Sequence, residues 1–195
     1  RSSAASDVYK RQMIDFILSS MVSSGIDNIS IIVRNNYHSL MDHLGSGREW
    51  DLTRKNGGLT IIPPFAEKTV KMYNGRVQAL ASILELLRDQ KEEYVVMSDA
   101  NIAVNFDFSA MLQAHIESGA DVTVAYKEEE LADSLKNLDI MKEDFFYTLA
   151  LEGDRVKKIY VNSEESGPQK LSMNIYILKR DCLLYTSPSP RDYAA

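Results

Sequence analysis

The stretch EEYVVMSDANI, residues 92–102, decides how the chain is read. Tyr94, Val95, Val96 and Met97 form a short apolar run with β-branched residues at its centre, which predicts a buried strand. The run breaks into Ser98-Asp99-Ala100-Asn101, a cluster of turn formers. Asp99 is therefore expected at the carboxyl end of a strand. In a parallel sheet that end faces the crevice where α/β proteins bind ligands. A carboxylate there offers hard oxygen to a magnesium ion that holds a nucleotide's phosphates. By itself a strand followed by aspartate is a weak sign, because aspartate also caps helices and turns.

Outward from this strand, helical and extended patterns alternate. Ile14, Ile17, Leu18, Met21 and Val22 recur at helical spacing, with Gly25 as a left-handed cap. Residues 29–33, ISIIV, read as a strand buried on both faces. Tyr37, Leu40, Met41 and Leu44 give a second helix stopped by Gly45, and residues 59–62 a strand halted by Pro63-Pro64. Val77, Leu80, Ile83, Leu84 and Leu87 form a third helical stripe. A fourth, capped by Asp107 or Ser109, carries Phe108, Met111, Leu112 and Ile116, ends at Gly119 and leads into a strand over residues 122–126. The charged residues 127–136 read as a solvated loop or helix. From Phe145 the pattern changes to a hairpin, residues 145–151 and 155–161 around Glu152-Gly153-Asp154, followed by a strand over 171–178. The whole predicts an α/β fold with a mostly parallel, mixed sheet and helices on both faces.

The chain has 195 residues, 45% of them hydrophobic and 26% charged, enough for one domain with a substantial core. A net charge of -6 argues against a nucleic-acid partner, since a phosphate backbone is gripped by clustered Lys and Arg. No apolar run approaches the roughly 20 residues needed to span a bilayer, and no signal peptide opens the chain; the expected location is the cytoplasm, with no membrane partner. The single cysteine, Cys182, excludes an internal disulfide. His38, His43 and His115 are separated on predicted helices and read as packed or surface residues, and Trp50 as the packing anchor of a loop. Asp15 reads equally as a first-turn helix acid or as a group that orients a neighbouring loop.

The two ends, RSSAASDVYKRQ and CLLYTSPSPRDYAA, share neither the periodicity nor the composition of the middle and resemble translated adapter read-through. The expected division is therefore 1–12 and 182–195 as non-native ends and 13–181 as a partial domain, incomplete at its N-terminus.

The segments IDFILSSMVSSGIDNISIIV and NNYHSLMDHLGSGREWDLTRKNGGLTIIPPF, with SLMDHLGSG and EWDL in particular, resemble the bacterial glucose-1-phosphate adenylyltransferases of glycogen synthesis. More closely, they look like the branch that serves as a regulatory, weakly catalytic or non-catalytic subunit. The likeness covers nearly all of residues 13–181. It implies a Rossmann-like nucleotidyltransferase fold and, for the family, the reaction of ATP with glucose 1-phosphate to ADP-glucose and pyrophosphate. Magnesium would offset phosphate charge, and positioning would supply much of the acceleration. The family's Gly-rich triphosphate loop would precede residue 13.

Four further regions carry the implied site. Where the family has Gly-Thr-Ala-Asp-Ala, this chain has Gly75-Arg76-Val77-Gln78-Ala79. Where it has Gly-Asp-His, Ser98-Asp99-Ala100 stands, keeping Asp99 as the metal ligand. Val161-Asn162-Ser163 replaces a Glu-Lys-Pro whose lysine meets the sugar phosphate, and Asn174 stands in SMNIYIL where the catalytic branch has glycine. The expected site remnant is thus Gly75, Arg76, Gln78, Ser98, Asp99, Asn162 and Asn174, with Mg²⁺ on Asp99 if the site functions. Its pattern of losses implies a catalytically deficient subunit that assembles with a catalytic homologue and takes ATP, ADP-glucose or sugar phosphates as effectors. The alternative is an active sugar-1-phosphate nucleotidyltransferase.

Overall fold

The computed structural model describes residues 2–33, 37–54, 57–63, 83–130, 146–163, 165 and 167–186, with side chains described from residue 12 to residue 185. The chain forms two compact units, one of residues 1–95, 100–121 and 178–195, the other of 96–99 and 122–177.

In the first unit, α1 (Ser2–Ser23) sinks Ile14, Ile17 and Leu18 into the core, as the helical stripe predicts. Gly25, at φ 81°, ends the helix in the left-handed conformation that glycine adopts without steric cost. Strand β1 (Asn28–Ile32) pairs in parallel with β2 (Gly58–Ile62), Ile29 opposite Leu59 and Ile31 opposite Ile61. Only Ile29 of β1 is fully buried, so burial on both faces is not reached. Between these strands lie α2 (Tyr37–Leu44) and a single 3-10 turn, Arg48–Trp50. Gly58 opens β2 at φ 87°, and a Cβ there would collide with the carbonyl oxygen of Leu52. Leu52 itself is buried and bridges turn to strand by accepting the Leu59 N–H at 3.1 Å.

Further along are α3 (Leu84–Arg88), β3 (Tyr94–Ser98) and α4 (Phe108–Ser118). Asp107 caps α4 by accepting the Ala110 N–H at 3.0 Å, and Gly119 closes it at φ 61°. Ser20 and Ser24 of the first helix and its exit tie down the approach to α4: the Ser20 hydroxyl donates to the Val104 carbonyl at 3.0 Å, and the Ser24 hydroxyl accepts the Phe108 N–H at 3.0 Å. The last described helix, α5 (Arg180–Thr186), packs on α3 and buries Leu183.

The second unit is built on a five-stranded sheet. It runs β3, β7 (Pro168–Lys179), β5 (Tyr147–Glu152), β6 (Arg155–Val161), and β4 (Val122–Glu130) also pairs with β7. Ile175 and Ile177 of β7 are completely buried. β5 and β6 form the predicted antiparallel hairpin around Gly153, and β5 meets β7 antiparallel through Thr148 and Leu171. A bulge interrupts the hairpin: Ala150 faces Lys158 and Leu151 faces Val156, so Lys157 has no opposite residue.

Two local expectations are corrected here. The charged run does not begin a loop or helix at Lys127, because β4 continues through Glu130; residues 131–136 lie outside the described residues. Strand geometry is set by backbone pairing, and the exposed side chains follow it: Lys127 and Glu129, two residues apart on one side, form an ion pair at 2.8 Å. β3 is half-buried along its whole length rather than buried, consistent with its place at the end of the strand order.

Candidate functional site

Four of the seven expected site residues, Ser98, Asp99, Asn162 and Asn174, belong to the second unit. Gly75, Arg76 and Gln78 lie outside the described residues. Asp99 stands where the sequence places it, directly beyond the last residue of β3, and is half-buried. The Ser98 hydroxyl donates to the Asp99 carbonyl at 3.1 Å, which steadies the turn that follows the strand. Among the described residues no group of three or more His, Cys, Asp or Glu side chains is placed to hold a metal ion. A single carboxylate nevertheless suits a magnesium ion, which is commonly held by one or two carboxylates while phosphate oxygens and water fill its other positions. Asp99 fits that role and no all-protein cage.

Asn162 follows β6 at φ 49°, in the left-handed region that asparagine tolerates better than other residues with a side chain. Its N–H donates to the Phe146 carbonyl at 3.0 Å, and its carboxamide oxygen accepts the Phe146 N–H at 3.1 Å. Backbone and side chain together close the open end of the β5–β6 hairpin. The oxygen of Asn162 is thus committed to backbone, and the position carries no positive charge.

Asn174 also has a positive φ, 56°, in the middle of β7. Its N–H donates to the Ser172 hydroxyl at 3.1 Å, and the Tyr176 hydroxyl donates to its carboxamide oxygen at 3.4 Å. The glycine expected at this place would hold the same backbone angle without strain. Sequence reasoning named Asn174 but missed Ser172 and Tyr176 as its partners. Their signal was the i, i+2, i+4 spacing of polar groups in SMNIY, set against the apolar Ile175 and Ile177 of the other face.

In the first unit Asp15 is not a first-turn acid. Because α1 starts at Ser2, it sits in mid-helix and pairs with His43 of α2 at 2.8 Å. His115 is a packed residue, buried with its ring edge-on to Tyr94. Trp50 anchors its loop, its indole N–H donating to the Ser19 hydroxyl at 3.3 Å.

The sequence profile described as nucleotidyl transferase matches residues 3–193. The chain belongs to the nucleotidyl transferase family. Members of this family generally use divalent metal ions. A glycogen biosynthesis protein, GlgD, of Geobacillus stearothermophilus is 42% identical over 117 residues, which are 57% of this chain and 33% of that protein. A glucose-1-phosphate adenylyltransferase of Bacillus subtilis (strain 168) is 38% identical over 120 residues, 61% of this chain and 32% of the relative. The match thus spans about a third of the length of these relatives. Among solved structures, a Bacillus anthracis protein provisionally named glucose-1-phosphate thymidylyltransferase, in complex with a sucrose, superposes with a TM-score of 0.64 at 16% identity. That likeness covers 92% of this chain and 64% of the other, and it establishes the fold: a mixed α/β nucleotidyltransferase domain. Among the described residues no helix is long and apolar enough to cross a membrane.

Proposed function

We propose that the chain is part of a regulatory, catalytically deficient subunit of a cytoplasmic glucose-1-phosphate adenylyltransferase in glycogen biosynthesis, assembling with a catalytic homologue. The observation that carries this reading is Asn162. It occupies the position where the family resemblance puts a phosphate-binding lysine, and its side chain is spent on closing a hairpin. Loss of a charge-assisted contact to phosphate removes roughly 1.5–3 kcal/mol, about tenfold to more than a hundredfold in binding. The kinship with both a GlgD protein and glucose-1-phosphate adenylyltransferases supports the same reading. Asp99 is the retained element of the site, where Mg²⁺ would bind together with nucleotide phosphates, and ATP, ADP-glucose or sugar phosphates would act as effectors.

The test is to express the complete reading frame and to assay ADP-glucose formation alone and mixed with the catalytic homologue. The expected result is negligible formation alone, with a changed rate or effector response in the mixture. Robust turnover by the protein alone, abolished in Asp99→Ala, would overturn the proposal in favour of an active sugar-1-phosphate nucleotidyltransferase.

A further inference from the structure

The outer strand of the β5–β6 hairpin carries an exposed surface that the site does not use. Six of the seven residues of β6 are exposed, and among the described residues its only strand partner is β5. Register puts Val156, Ile159 and Val161 on one side, opposite Leu151, Leu149 and Tyr147. Leu149 is 6% exposed, whereas Ile159 is 56% and Val161 54%, so the apolar face that β5 buries runs out uncovered over β6. At the other end of the strand, Arg155, Lys157 and Lys158 gather three cations and no acid in a chain of net charge -6. Lys157 pairs with Glu152, and Lys158 lies over the Tyr160 ring at 4.7 Å. Lysines and bulges commonly guard a sheet edge against pairing, and here both lie at or before Lys158. Residues 159–161 are left as an unguarded apolar edge.

β4 is built in the reverse order. It too has one strand partner among the described residues, β7, and its exposed Val122 and Tyr126 precede Lys127, Glu128, Glu129 and Glu130. Lys127 and Glu129 offset each other on one side, which leaves Glu128 and Glu130 on the side of Tyr126. β6 thus runs from basic to apolar and β4 from apolar to acidic. Laid antiparallel, apolar end meets apolar end and acid meets base. β6 against β6 sets cations on cations when parallel and cations on Ile159 and Val161 when antiparallel. β4 against β4 fails in the same way with glutamates, so the pattern selects one pairing. We propose that β6 docks β4 of a second copy of the chain, edge to edge and antiparallel. The contact joins two different surfaces, so association is head to tail. It holds whether or not the chain catalyses, and so stands apart from the regulatory reading.

The test is sedimentation velocity on the full-length protein at rising concentration, with two charge-reversed variants. One carries Lys157→Glu and Lys158→Glu on β6, the other Glu128→Lys and Glu130→Lys on β4. All four side chains are exposed, and circular dichroism checks each fold. The wild type is expected to self-associate, more weakly as salt rises. Each variant alone is expected to associate about tenfold more weakly than the wild type. A one-to-one mixture, which sets acid against base again at both contacts, is expected to regain the wild-type affinity. A variant that associates as tightly as the wild type, or a mixture that stays apart, would overturn the proposal. So would a wild type that stays monomeric alone and associates only with a catalytic homologue.

Discussion

Replacing Asn162 by alanine should loosen the β5–β6 hairpin at its open end. Two costs add. The carboxamide oxygen that accepts the Phe146 N–H at 3.1 Å is lost, worth about 0.5–1.5 kcal/mol. Alanine must also hold φ 49°, where a Cβ costs an ordinary residue about 1–2 kcal/mol and asparagine rather less. Together these give a destabilisation of about 1–2.5 kcal/mol, or roughly 5- to 70-fold in a local opening equilibrium. Amide hydrogen exchange at residue 162 reads that equilibrium, because its own N–H donates to the Phe146 carbonyl at 3.0 Å and keeps that acceptor in every variant. Asn162→Gly separates the terms: it loses the same hydrogen bond and escapes the backbone cost, so its exchange should fall between wild type and alanine. Asn162→Lys, which restores the cation implied by the family resemblance, should exchange as fast as the alanine variant. Exchange at residue 162 that is unchanged in Asn162→Ala, or faster in the glycine variant than in the alanine variant, would refute this account of the hairpin.

Three other outcomes are expected. Gly58→Ala drives a Cβ into the Leu52 carbonyl at φ 87° and should cost roughly 1–3 kcal/mol, about 2–12 °C in melting temperature by calorimetry. Asp107→Ala removes the acceptor of the Ala110 N–H and should cost about 0.5–2 kcal/mol, read as earlier urea unfolding, with Asp107→Ser restoring most of it. Glu92 has its carboxyl held below the usual glutamate value, first by its own backbone N–H and also by that of Lys91, against a smaller opposing effect of burial. A lowered carboxylate stabilises the fold above its unfolded value and loses that contribution as pH falls through the lowered one; the wild type should therefore melt slightly above Glu92→Gln at neutral pH, and the gap should close on acidification.

What the sequence disclosed follows from how local each cause is. The stripe of Ile14, Ile17 and Leu18, the cap at Asp107 and the turn at Gly153 are short-range patterns, and each appears where periodicity or turn chemistry puts it. The extension of β4 through Glu130 was hidden because its side chains are uniformly charged; β4 pairs with β7, some 40 residues later in the chain, which no local pattern discloses. Asp99 was visible as a residue at a strand end. The hairpin-closing role of Asn162 was not, since it depends on a positive φ that no pattern of apolar residues encodes, and the grouping of Ser172, Asn174 and Tyr176 was legible only as polar residues at alternate positions of SMNIY. The place of Asp15 was misread for a related reason: periodicity begins at Ile14, but the helix begins at Ser2 and moves the acid away from the first turn.

Trp50 gives the protein a reporter of its own. It is the chain's single tryptophan, it lies in the first unit, and its indole is tethered to Ser19 of α1. Its emission will therefore report on the surroundings of that indole in the first unit. Changes at Asn162 or Asn174 fall in the other unit, whose tyrosines include Tyr147, Tyr160 and Tyr176, and they will be dim or silent in tryptophan fluorescence while visible in tyrosine absorbance. A denaturation curve followed by tryptophan fluorescence thus reads the first unit at Trp50 without any added label.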